Sequence, residues 1–234
     1  MKQNFNRIKV YFSPTNSQFV SPVEDNIVAI VQKVLGHNNK WHDNFSPYNV
    51  STLLGGVIVN NKITYPNGGY FYVSSSEKDF IADFVKGLFE NGETIYLQDM
   101  HYEKCELLAD TIHSDYDIIK TISPILLKHK DKIFTYKDKE FIDILTAQCI
   151  GKLLHTGINE KKLRNFEIIP FHFENAKIKY TKRKKYTQPS SKIMLIVKGN
   201  PECRKLLYEM GIGNSTGYCY GSVEIVNKNY VKYK

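Results

Sequence analysis

Residues 7–36 read RIKVYFSPTNSQFVSPVEDNIVAIVQKVLG, and the hydrophobic period changes once inside them. Over residues 7–13, Ile8, Val10 and Phe12 alternate with polar neighbours, the pattern of a half-buried strand. From Val23 the spacing lengthens, and Val23, Ile27, Ile30, Val31 and Val34 line one face of a helix. Ser21-Pro22 ahead of Glu24 and Asp25 marks the helix start, with acidic residues where the N-terminal dipole favours them. Gly36 stops it.

Working outward, residues 50–59 and 69–74 read as strands separated by Asn60-Asn61 and the turn Pro66-Asn67-Gly68. Ser76 is the expected cap of a second helix over 77–90, with Phe80, Ile81, Phe84, Val85 and Leu88 on its apolar face. Asn91-Gly92 closes it, and 94–97 starts another strand. The second half repeats the order less regularly. Residues 118–122 and 133–136 are extended, 139–155 is a helix, and 166–180 pairs with 192–197. Residues 201–210 form a helix with Pro201 in its first turn, and 222–226 is the last strand. Two copies of βαββαβ predict an α+β protein with two tandem ferredoxin-like domains, residues 1–117 and 118–234.

The charge is divided between those halves. Of 32 Lys/Arg and 24 Asp/Glu, residues 1–117 hold 9 and 14, and residues 118–234 hold 23 and 10. The halves therefore carry about −5 and +13, and a polyanion is drawn to the second. The four cysteines (Cys105, Cys149, Cys203, Cys219) form no CxxC pair, which argues against a zinc knuckle or a disulfide framework. No apolar run reaches the roughly 18 residues of a membrane span, and nothing resembles a signal peptide. The expectation is a cytoplasmic protein without membrane contact, without a cofactor, and either monomeric or a homodimer.

Three segments can carry chemistry. Residues 36–51, GHNNKWHDNFSPYNVS, hold His37, Lys40, Trp41 and His42 between a helix end and a strand start. Histidine titrates near neutrality and can move a proton to or from a reacting oxygen, while lysine steadies charge on a phosphorane. The plainer alternative is an ordinary polar surface loop. Metal binding by His37 and His42 is a third reading, with no HExxH-like carboxylate pattern beside it. Residues 211–221, GIGNSTGYCYG, follow a helix and contain no Gly-Lys-Ser/Thr, so they are not a Walker loop. Their glycines can bring backbone N–H groups close to phosphates. Residues 177–187, KIKYTKRKKYT, place Lys182, Arg183, Lys184 and Lys185 at the tip of a basic hairpin. Such a run either binds nucleic acid or is a solvated charged surface.

Two of these segments resemble the CRISPR-associated endoribonuclease family that excises guide RNAs from repeat transcripts. The first is similar to its G-φ-G-x5-G-φ-G loop: Gly211-Ile212-Gly213, five residues including Gly217, then Cys219-Tyr220-Gly221, with Cys219 in place of a glycine. The second, 35–43 with Ser46, Tyr48, Ser51 and Leu53-Leu54-Gly55-Gly56 behind it, is similar to the family's histidine-bearing segment. The resemblance implies a tandem RNA-recognition-like fold and metal-independent 2′-OH transesterification of CRISPR repeat RNA. It implies His42 as general acid or base, Lys40 as an electrostatic aid and His37 in reserve. Gly211, Gly213, Gly217, Gly221, Arg204, Lys205 and the 182–185 cluster would hold RNA. The rival is a noncatalytic RNA-binding subunit of a CRISPR effector complex. A small-molecule enzyme on the same scaffold is a distant third, without a cofactor motif.

Overall fold

The computed structural model describes residues 5–19, 23–36, 39–41, 46–60, 62–109, 115–183 and 186–226, with backbone alone at 181–183 and 186. It divides into two compact units. One is Met1–Asp110 together with Gly217–Cys219, and the other is Thr111–Thr216 with Tyr220–Lys234.

In the first unit β1 (Arg7–Phe12) leads into α1 (Val23–Leu35). Then come β2 (Tyr48–Val50), the hairpin β3 (Val57–Val59) and β4 (Lys62–Thr64), and β5 (Gly69–Ser75). They are followed by α2 (Lys78–Asn91), β6 (Tyr96–Leu97) and β7 (Met100–Leu108). The main sheet has the order β2-β5-β1-β7-β6 with every pair antiparallel. With β1, β2, β5 and β7 taken as the four principal strands, this is the ferredoxin-like βαββαβ arrangement. The period-two reading of β1 holds, since Ile8, Val10 and Phe12 are buried and Val10 lies opposite Phe71 and Cys105. Ile27, Ile30, Val31 and Val34 of α1 are buried in the same core, each worth about 1.5–3 kcal/mol when fully removed from water.

Three local expectations are corrected. Residues 50–59 are not one strand, because Gly55 at φ +89° turns the chain between β2 and β3. Ser75, rather than Ser76, supports the start of α2: its Oγ accepts from Glu77 N at 3.0 Å, while Ser76 Oγ donates to Pro47 O. The nine-residue β7 lies beyond the strand expected at 94–97.

The second unit runs β8 (Tyr116–Thr121), β9 (Leu127–His129), β10 (Lys132–Phe134), α3 (Phe141–His155) and β11 (Glu167–Phe171). It continues through β12 (Lys177–Arg183), β13 (Tyr186–Lys192), β14 (Met194–Lys198), α4 (Pro201–Met210) and β15 (Val223–Ile225). Its four-stranded sheet has the order β11-β14-β8-β15, again antiparallel throughout, so the ferredoxin-like arrangement appears a second time. Phe141, Leu145, Cys149 and Leu153 of α3, spaced by fours, pack with Leu195, Val197 and Leu207. Residues 166–180 are two strands rather than one. His172 takes φ +48° and a short 3-10 turn, Phe173–Asn175, follows it, so β11 pairs with β14 while β12 pairs with β13. Among the described residues no helix is long and apolar enough to cross a membrane.

Candidate nucleic-acid interface

α4 ends at Met210, and the glycine-rich segment folds back on its own backbone. Gly211 N donates to Leu207 O, Ile212 N to Gly221 O, Asn214 N to Leu126 O and Gly221 N to Pro124 O, all between 2.8 and 3.0 Å. A Cβ on Gly221, at φ +63°, would lie 1.8 Å from Ile212 O, so glycine alone fits this crossing. The expectation that the loop's N–H groups face phosphate therefore fails at Gly211 and Gly221, whose donors are already engaged. Gly211, Gly213, Gly217 and Gly221 are all buried, Asn214 and Ser215 are half-buried, with Asn214 Oδ1 accepting from Lys128 N at 2.6 Å, and Tyr218 is exposed.

Lys152 of α3 ties this segment together. Its Nζ donates to Gly211 O at 3.2 Å and reaches Thr216 Oγ1 at 3.5 Å. Burial pulls its ammonium down to about 8 from an ordinary 10.5, against a smaller opposing effect of Cys149. Between those values the unfolded chain binds the extra proton, so the protonated folded form is penalised below pH 8 and the penalty lifts as pH rises toward 10.5. Urea midpoints of the wild type and Lys152→Met, compared across pH 7–11, should show the wild type gaining on the variant through that window. A difference independent of pH would place the ammonium in solvent.

The tip of the segment, Gly217–Cys219, belongs to the first unit. A Cβ on Gly217 would sit 3.0 Å from Ser46 Oγ and 3.0 Å from Tyr48 Cε2. Cys219 is buried with φ +62°, a backbone setting that suits the glycine it replaces, and its Sγ approaches Glu24 O of α1 at 3.9 Å. Tyr48 in turn stacks on Phe80 of α2 at 4.5 Å, and burial pushes its hydroxyl pKa up. The glycine-rich tip thus lies against the residues that close the histidine-bearing segment.

At the other end of that segment, residues 39–41 are held on α2. Lys40 Nζ is 3.4 Å from Asp79 Oδ2 and 4.0 Å from Asp83 Oδ2, and lies 4.6 Å from the centre of the Trp41 ring. Trp41 packs edge-on against Phe80 and its Nε1 donates to Asp83 at 3.4 Å. Sequence reasoning misses Asp79 and Asp83, because their spacing by four with Lys78 adjacent reads only as an exposed helical face. His37 and His42 lie outside the described residues.

The basic candidates separate. Lys184 and Lys185 lie outside the described residues, and Lys182 and Arg183 are defined by backbone alone, in β12, opposite Thr187 and Tyr186. Arg204 is corrected: it is buried rather than presented to RNA, with Nη1 3.0 Å from Asp117 Oδ2 and Nε donating to Gly199 O. Lys205 is half-buried and 3.8 Å from the buried Glu209 carboxylate. The sequence shows both as cations of one helix; Glu209 at i+4 from Lys205 is visible in it, but nothing there signals Asp117 as the partner of Arg204.

The half-exposed face of the first sheet carries a further array. Lys9 Nζ stands 3.8 Å from the Tyr70 ring centre and 4.5 Å from that of Tyr11. Lys104 Nζ is 5.1 Å from the Tyr11 ring centre, while the Arg7 guanidinium, 4.4 Å from that of Tyr72, is buried and supports the tyrosine from beneath rather than facing solvent. Tyrosines interleaved with cations on an open sheet can stack on bases and neutralise phosphates. The signal is present in the sequence, since alternation places Arg7, Lys9 and Tyr11 on the face opposite Ile8, Val10 and Phe12.

Comparison with known proteins finds relatives in family and in fold. Residues 107–225 match the family "CRISPR associated protein Cas6, C-terminal". A CRISPR-associated endoribonuclease Cas6 of Methanocaldococcus jannaschii is 30% identical over 71% of this chain and 67% of its own. Two solved structures share the fold. One, described as a RAMP protein binding different RNA substrates, has a TM-score of 0.81 at 19% identity, covering 95% of this chain and 100% of that one. The other, a Cas6-related protein from Pyrococcus furiosus, has a TM-score of 0.77 at 22% identity, covering 95% and 99%. The family match spans just over half of the chain and includes the glycine-rich segment whose folded geometry is described above, so the chain belongs to the Cas6 family of CRISPR-associated proteins.

Proposed function

We propose that this protein is an endoribonuclease that cuts CRISPR repeat RNA without a metal ion. The observation that carries the reading is the packing of Gly217 against Ser46 and Tyr48, which sets the glycine-rich tip beside the end of the histidine-bearing segment. Family membership and the endoribonuclease name of the Methanocaldococcus relative support it. In the proposed reaction the 2′-OH of the scissile nucleotide attacks the adjacent phosphorus and the P–O5′ bond breaks. The products carry a 2′,3′-cyclic phosphate and a 5′-OH. A histidine takes the 2′-OH proton or supplies one to O5′, with His42 first and His37 in reserve. Lys40 steadies the phosphorane while remaining near Asp79 and Asp83. The tyrosine–cation face of the first sheet and the basic second unit bind the rest of the repeat.

The test is incubation with the protein's own repeat RNA in excess EDTA, followed by analysis of product ends. Cutting should persist and leave a cyclic phosphate. A substrate with hydrogen in place of the scissile 2′-OH should bind but stay whole. Dependence on magnesium, or cleavage of the deoxy substrate, would replace this mechanism with another.

A further inference from the structure

Four lysines converge at the root of the β12–β13 hairpin, away from the tip that its charge run first suggests. Lys177 and Lys192 are direct cross-strand partners, and Lys179, two residues along β12, shares their face of the ribbon. Lys120 of β8 pairs with Met194, two residues beyond Lys192, and its Nζ is 3.2 Å from Glu224 of β15. Like charges placed directly opposite one another on a ribbon repel, and an unliganded protein gains nothing from the arrangement. Lys192 is half-buried, so solvent screens it less than its exposed neighbours. Its ammonium is held below the usual lysine range first by burial, then by Lys179, Lys120 and Lys177. Glu224 is the acidic group that opposes them among the described residues, and Lys120 already occupies it.

We infer that Lys120, Lys177, Lys179 and Lys192 form a built phosphate-binding site, which takes a backbone phosphodiester of the RNA. A phosphate converts three mutual repulsions around Lys192 into attractions, where Glu224, shared with Lys120, offsets them only in part. The site rests on the RNA-binding reading above for its physiological ligand but not for its chemistry. It also differs from a generally basic surface, because its charges are clustered against one half-buried member. Isolated surface cations are usually spaced apart or paired.

The experiment compares the full-length wild type with Lys192→Gln and with Lys177→Gln/Lys179→Gln. Probes are uncleavable deoxy-substituted repeat RNA and, separately, inorganic phosphate. Lys192→Gln should raise the Tm of the RNA-free protein by about 1–3 °C, through relief of repulsion. It should also weaken RNA binding roughly tenfold. The magnitude of the log–log salt slope should fall by about 0.7–0.9 for each RNA phosphate that is no longer neutralised. The double variant should move both readouts the same way. A lysine with only a structural role would lower Tm on removal and leave affinity and salt slope unchanged, and that result overturns the site. If the wild type fails to bind repeat RNA while phosphate raises its Tm and not that of Lys192→Gln, the anion site stands and the RNA reading falls. If phosphate and RNA are both indifferent to Lys192, the site itself is wrong.

Discussion

His42→Ala is expected to lower the single-turnover cleavage rate by at least about a hundredfold while changing RNA affinity little. Proton transfer by a positioned side chain contributes about 10²–10⁴-fold, and a loss confined to the chemical step appears in rate rather than in binding. The expectation follows from chain position. His42 directly follows Trp41, which is fixed on α2 by Phe80 and Asp83, and comes four residues before Ser46, against which Gly217 packs. His37 follows Gly36, which leaves α1 at φ +82°, and His37→Ala should cost much less. Lys40→Ala should fall between them, because Lys40 moves no proton and its charge is shared with Asp79 and Asp83. The measurement is a single-turnover series at saturating enzyme, paired with binding to the deoxy-substituted repeat. Full activity in His42→Ala would remove that assignment, and full activity in both histidine variants would move the chemistry off this segment.

The parts of the fold that are legible in the sequence share one property: their side-chain pattern is set by a single buried face. α1 is such a case, as its five apolar positions recur at helical spacing and four of them are buried. α3 is legible in the same way, through Phe141, Leu145, Cys149 and Leu153, whereas α4 is marked by Pro201 in its first turn and buries Arg204 and Glu209 beside its apolar side chains. β7 escapes such a reading because it lies beside one long strand only, and its sequence, MHYEKCELL, carries charge at four of nine positions, counting His. A strand of that kind is set by its neighbour β1, which lies about 90 residues earlier. Residues 166–180 read as one strand for a related reason. Pattern alone does not show that His172 adopts a left-handed conformation, which transfers the chain from one sheet to another. The candidate site divides along the same line. Its glycines are visible as a motif, but their role as close backbone crossings depends on Ile212, Leu126 and Pro124. Counting Lys and Arg finds the basic second half and cannot tell a cation facing RNA from one facing a buried carboxylate.

Arg204 is where that distinction has its largest consequence. Arg204→Ala is expected to destabilise the protein by about 3–5 kcal/mol, because it leaves the Asp117 carboxylate buried without its counter-charge. The guanidinium side chain is 1% exposed and that of Asp117 is 4% exposed, so solvent cannot replace the 3.0 Å contact between them. Arg204 Nε also donates to Gly199 O at 3.1 Å, which fastens α4 to the turn after β14. For a chain of 234 residues a loss of that size should lower Tm by roughly 6–20 °C. Replacing both partners together, Arg204→Met with Asp117→Leu, should recover most of the loss, because the desolvation cost of the two charges disappears with their attraction. RNA affinity measured well below the unfolding transition should change little in either variant, in contrast to Lys192→Gln, which should raise Tm and weaken binding. Urea unfolding and binding to the deoxy-substituted repeat distinguish the two behaviours. An Arg204→Ala protein with an unmoved unfolding curve and a large loss of affinity would return this arginine to the RNA interface and take the buried ion pair out of the fold's support.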